Sequence, residues 1–164
     1  MTIGSHQAAV GKSQTHLTPR WIIDALGPFD LDPCAADPRP WDCAATNWPE
    51  ADDGLSRPWL GRVWMNPPFD RYAVEEWCRR MAEHGDGIAL LHARTETDWF
   101  GQCWGAADAM LFMAKRIKFL RPDGTEQPAN SGAPVVLVAF GRHNADALRA
   151  IPGWLVERWE RIAA

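Results

Sequence analysis

The chain of 164 residues has no apolar run near the roughly 18 residues that a membrane-spanning helix needs. Its opening stretch, MTIGSHQAAVGKSQTH, has no apolar segment of the kind that marks a secretion signal. The expectation is a cytoplasmic protein with no membrane partner. Positive charge is not in surplus either. Seventeen Lys and Arg stand against 21 Asp and Glu, for a net charge of −4. Bulk charge therefore announces no nucleic-acid partner, and any basic surface must be a local cluster. Cysteine is sparse: Cys34, Cys43, Cys78 and Cys103 form no C-x-x-C pair, and no histidines cluster near them at zinc spacing. That argues against a metal site and against a disulfide framework, and for reduced, mostly buried thiols. Internal repeats and low-complexity blocks are absent as well.

What is present fits one domain with one sizeable core. Residues 1–16 are polar and small and read as a flexible N-terminal arm; residues 17–164 read as a single compact domain. Thr18-Pro19 suggests a helix start, with Thr as N-cap and Pro in the first turn. Trp21, Ile22, Ala25 and Leu26 fall on one helix face, and Gly27 ends it. FDLDP (29–33) reads as a strand; residues 34–58 show little regular pattern. A strand over 62–65 follows, then helical spacing at Val74, Trp77, Cys78 and Met81, with Gly85 as terminator. Apolar strands are expected at 87–93, 109–114 and 134–141, with a further strand at IKFL and a turn-rich loop over 121–133. TDWFGQCWGAA suits a short helix, and the Asn of NADALRAI suits a helix cap. Strands this continuously apolar are covered on both faces, as in an α/β open sheet. The last two strands are expected to pair antiparallel at one edge. The ten tryptophans are read mostly as core residues.

The most informative stretch is RVWMNPPFD, residues 62–70. A buried strand stops at two prolines, which have no N–H and fix φ near −65°. The turn therefore presents carbonyl acceptors in a stiff geometry. Asn66 adds an amide oxygen at a strand's carboxyl end, where ligands of open α/β sheets sit. Phe69 adds a flat apolar face. Asn66, Pro67, Pro68 and Phe69 together suit a planar ring with an exocyclic amino group: the ring stacks on Phe69, and the two N–H bonds point at the Asn66 side-chain oxygen and the Pro67 carbonyl. Such an amine is a poor nucleophile because its lone pair is delocalised. Two fixed acceptors favour a pyramidal nitrogen that can attack a methyl group. No strong base is required, since the proton can leave after transfer.

NPPF resembles the catalytic motif of amino-group methyltransferases that use S-adenosylmethionine. The wider chain resembles the phage-type, Dam-like DNA N6-adenine methyltransferases. The matching pieces are LTPRWIIDALGPFDLDPCAAD, DDGLSRPWLGRVWMNPPF, ALLHARTETDWF, RIKFLRPDG and SGAPVVLVAFG, spanning about residues 17 to 141. The resemblance implies a Rossmann-like class I methyltransferase fold, a mostly parallel open sheet with helices on both faces and an antiparallel edge strand. It also implies methyl transfer to adenine N6 in DNA, a role found in phage and restriction-modification settings. By the same resemblance, Asp32, Pro33, Cys34 and Ala35 match the cofactor motif, with Asp32 holding the methionine amino group or a ribose hydroxyl. Thr18 and Pro19 match an element beside the methionine end, and Asp53 in DDGL matches an acidic position near the cofactor's adenine. Three departures stand out. The cofactor motif lacks a G-x-G run, no clear acidic residue ends a second strand (Glu50 is the candidate for the ribose), and there is no room for a separate target-recognition domain.

An adenine amino group inside a duplex is stacked away, so the base must be flipped out or taken from a single strand. Arg94, Thr95 and Trp99 follow a strand and are expected on the catalytic rim, with Arg94 on a phosphate and Trp99 as a stacking face; the alternative has Asp98 capping a helix and Trp99 in the core. Lys115, Arg116, Lys118 and Arg121 form the densest basic cluster and the candidate phosphate-contacting flank. His92 is read as structural. DNA is the expected partner, and a homodimer is left open. RNA adenine or protein glutamine methylation through the same loop remains an alternative, as does a binding module of this fold without activity.

Overall fold

The computed structural model describes residues 16–69 and 73–157. The proposed arm therefore lies outside the described residues except for His16.

Seven strands form one sheet in the order β2-β1-β3-β4-β6-β5-β7 among the described residues. They are β1 (Leu31–Asp32), β2 (Thr46–Asn47), β3 (Val63–Met65), β4 (Gly87–His92), β5 (Ala109–Met113), β6 (Val135–Phe140) and β7 (Gly153–Glu157). β2, β1, β3 and β4 run parallel; β6 pairs antiparallel with both β4 and β5, and β7 pairs antiparallel with β5. Five strands thus share one direction, and the sheet is mixed α/β and compatible with a Rossmann-like fold. β5 and β6 pair antiparallel and an antiparallel strand holds one edge, as expected, but the edge strand is a different one. β6 is not at the edge but between β4 and β5, and the edge belongs to β7, which sequence periodicity did not reveal. IKFL is no strand. Its backbone pairs with the returning loop, Gln127 N to Phe119 O at 2.9 Å and Ser131 N to Ile117 O at 2.9 Å, so no neighbouring strand takes it up.

The pleat sends alternate residues to opposite faces. Trp64, Ile88 and Leu90 join one core with Ile22, Ile23 and Leu26 of α1 (Arg20–Leu26). Val63, Met65, Ala89 and Leu91 join the other, against α2 (Ala73–His84) and α3 (Asp98–Ala106). Both faces are covered, which is why β4 and β6 read as unbroken apolar runs. α2 buries Val74, Trp77, Cys78 and Met81, one stripe at helical spacing, and stops at Gly85 with φ 73°. Each large side chain so buried contributes roughly 1.5–3 kcal/mol.

Two expected helix caps are absent. α1 has Pro19 at its N-cap and no side-chain cap; the Thr18 hydroxyl is engaged elsewhere. Asn144 lies inside α4 (Arg142–Ala147), fully buried, where its amide bonds Phe140 O, Asp86 and Arg62. All four cysteines are free thiols, as expected. No described helix is long and apolar enough to cross a membrane.

Candidate active site

Strand order marks where a ligand would sit. The chain leaves β1 for β2 on one side and then returns to β3 on the other. Such a reversal opens a crevice outside the carboxyl ends of the two strands. β1 ends at Asp32 and β3 at Met65, so the crevice is flanked by Asp32-Pro33-Cys34-Ala35 and by Asn66-Pro67-Pro68-Phe69. The two loops lie side by side, with the Asn66 backbone amide near enough to act on the Cys34 thiol.

The Asn66 side chain donates from Nδ2 to the His16 carbonyl at 2.7 Å and to Thr18 Oγ1 at 3.2 Å. Its Oδ1 is buried and has no hydrogen-bond partner among the described residues. A carbonyl only accepts, so turning the amide over would set oxygen against oxygen at His16. An unpartnered buried acceptor costs about 1–3 kcal/mol. A ligand N–H would remove that cost.

Phe69 is half-buried in a cluster of rings. His92, at the end of β4, stacks on it with centroids 3.9 Å apart and planes 11° apart. His16 and Phe119 each lie 6.3 Å from it, tilted. Burial pushes the His92 imidazole down to about 4, helped by the positive charges of Arg94, His16 and Arg116 nearby. At neutral pH His92 is therefore an uncharged flat ring. Burial also lowers His16, against a bond from Gln127 that raises it. His92 covers one face of Phe69, a feature that the sequence did not disclose.

Asp32 is 5% exposed, and its carboxylate accepts the Cys34 N–H at 3.1 Å. Burial raises it to about 7, while the hydrogen bonds from Cys34 and the more distant Arg39 pull it down less. Arg39 is paired with Asp42 at 2.6 Å instead. The loop after β2 packs on this one. A Cβ at Gly54 would fall 1.9 Å from the Pro33 carbonyl oxygen. The absence of a side chain at Gly54 lets the two loops pack backbone to backbone. Asp53, exposed and in left-handed conformation at φ 47°, precedes it. Glu50 stands three residues beyond β2, exposed, at the carboxyl end of a second parallel strand that the sequence did not reveal.

The remaining candidates separate. Thr18 and Pro19 are buried beside Asn66. Arg94 and Thr95 follow β4 on the same rim, with Arg94 3.7 Å from Glu96. Trp99 is only 9% exposed, packed edge-on against Phe100 in the α2–α3 layer. Its stacking role is corrected: it has no free face. Lys115, Arg116, Lys118 and Arg121 are exposed after β5, with Arg116 donating to the Ser131 carbonyl and Lys118 paired to Glu126 at 3.1 Å. His16, His92, Phe119 and Gly54 belong to the site but were not singled out for it. Their sequence signal is only adjacency: His16 precedes the TP pair, and Gly54 follows DD. No group of metal-ligating side chains occurs among the described residues.

The family model described as DNA N-6-adenine-methyltransferase (Dam) matches residues 7–155. The chain belongs to the Dam family. No curated protein matches it. Membership in the Dam family makes DNA adenine-N6 methylation its general activity, and DNA its substrate class.

Proposed function

We propose that this chain transfers a methyl group from S-adenosylmethionine to N6 of an adenine drawn out of the DNA stack, at the crevice between β1 and β3. The unpartnered Oδ1 of Asn66 carries the reading: it is an acceptor fixed in place before any donor arrives. The adenine amino group gives one N–H to Oδ1 and the other to the Pro67 carbonyl, and the ring stacks on the face of Phe69 away from His92. The held nitrogen becomes pyramidal, and its proton leaves after transfer, so no general base is assigned.

The residues present fit the cofactor. A buried carboxylate with no close cation is costly unless a positive group joins it; Asp32 is such a group, and a ligand ammonium would compensate it. S-adenosylmethionine, when bound, supplies a methyl group activated on a sulfonium. Asp32, Pro33, Cys34 and Ala35 would hold its methionine end, Glu50 its ribose and Asp53 its adenine. Arg94, Arg116, Lys115, Lys118 and Arg121 would meet DNA phosphates along the rim.

Asp32 makes a pH test. Its folded pKa of about 7 stands above the ordinary 3.8, so the unliganded protein loses stability as pH rises through that window. Binding an ammonium needs the ionised form. Cofactor affinity should therefore level off above pH 7 and fall by about tenfold per pH unit below it. Calorimetric titration from pH 5.5 to 8.5 should show this slope, and Asp32→Asn should be weak and flat. A wild-type affinity that does not change with pH would remove Asp32 from the cofactor site.

The activity itself is tested with methyl-labelled S-adenosylmethionine and DNA lacking adenine methylation, beside total RNA and a protein lysate. Label in DNA as N6-methyladenine is expected. Label in RNA or protein alone would keep the chemistry and overturn the substrate. No label and no cofactor binding would leave a binding module.

A further inference from the structure

Thr18 precedes Pro19 and a helix, the place where a threonine normally caps the first turn. Its hydroxyl does not do so. α1 has no side-chain cap, and Oγ1 lies 3.2 Å from Asn66 Nδ2, 48 residues along the chain. Thr18 is 2% exposed. The residue before it is pinned as well: Leu17 exchanges both backbone hydrogen bonds with Leu120, at 3.1 and 2.9 Å. Residues 16–18 thus form a strap tied to the 120 loop on one side and to the catalytic amide on the other.

We propose that this strap sets the catalytic amide, with Thr18 as its positioning residue. Rested on the reading of Asn66 as acceptor for the adenine amino group, the role has two parts. The first is orientation. Asn66 has two N–H donors, and both are used, one on the His16 carbonyl and one on Thr18. The amide plane is fixed at two points, and only its oxygen is left for substrate. The second is polarisation. Donating both N–H bonds shifts charge onto Oδ1 and makes it a better acceptor, as hydrogen bonds in series strengthen one another. Thr18 need not touch either substrate or cofactor to do this. Pro19 serves the same end by locking its own φ and confining Thr18 before it to extended backbone.

The test compares Thr18→Val, which keeps the shape and removes the hydroxyl, with Thr18→Ser, which keeps the hydroxyl. Single-turnover methyl transfer to DNA should fall about ten- to a hundredfold in Thr18→Val. Dissociation constants for S-adenosylmethionine and DNA should stay within about twofold, as expected for a group that binds neither. Thr18→Ser should recover most of the rate. In 15N-labelled protein, the Asn66 side-chain NH2 pair should shift upfield and exchange faster with water in Thr18→Val, and Thr18→Ser should restore it. An unchanged Val rate would overturn the proposal. So would a loss confined to cofactor affinity, which would make Thr18 a cofactor contact. Equal losses in Val and Ser with a lowered Tm would make it a packing residue. The NH2 signals need no activity. If the wild type methylates no DNA but the signals respond, the strap stands and the adenine reading fails; if it methylates DNA and the signals do not respond, the strap fails alone.

Discussion

Asn66→Ala should lower methyl transfer to DNA by about 10²–10³-fold, the usual cost of removing one preorganised polar group at a reacting centre. The fold should survive, because Asn66 sits in a loop past the end of β3 and belongs to neither apolar core. Cofactor affinity should be near normal, since Asp32 keeps its own partner, Cys34. Asn66→Asp should not rescue the rate. One of its oxygens would take the place of Nδ2, 2.7 Å from the His16 carbonyl, and oxygen would face oxygen. The measurement is single-turnover label transfer at saturating cofactor, with Tm as a fold control. An Ala variant within tenfold of wild type would place the acceptor role elsewhere.

Gly54→Ala should be the most damaging single methyl group in the molecule's cofactor region. The added carbon would lie 1.9 Å from the Pro33 oxygen and 2.9 Å from the Pro33 carbonyl carbon. These are backbone atoms, so no rotamer change relieves the clash. One of the two loops must move, and the Pro33 loop carries Asp32 and Cys34 to the crevice. Overpacking of this kind costs about 1–3 kcal/mol, so a lowered Tm is expected with cofactor affinity reduced at least about tenfold. Gly101, in α3, is the control: a Cβ there meets nothing within 4 Å. Gly101→Ala should leave binding intact and stabilise slightly, by about 0.4–1 kcal/mol. Equal behaviour of the two variants by melting and calorimetry would mean that the loops do not pack as described.

What could be read ahead was whatever rests on period or on stiff local chemistry. α2 announced itself through Val74, Trp77, Cys78 and Met81, and β4 and β6 through runs long enough to need cover on both faces. The Asn66–Phe69 loop was legible because two prolines have few options. β2 was not, because two residues have no period. β7 alternates weakly, since as an edge strand it buries little. The IKFL segment is apolar for a local reason: Ile117 and Phe119 are buried in the first core, and Leu120 is held by isolated bridges to Leu17 and Glu126. Side-chain destinations were least legible. Thr18 and Asn144 both looked like helix caps, because capping is a local rule, and both are claimed by partners far along the chain. Trp99 looked like a rim residue by position, but its side of α3 faces the core.

The crevice stands on the least cross-linked part of the sheet. β1 and β3 share one paired position, Leu31 with Val63, whereas β4 and β6 share six. A ligand that reaches from Asp32 to Asn66 spans the weak seam and stitches it, so part of its binding energy goes into ordering the very strands that hold it.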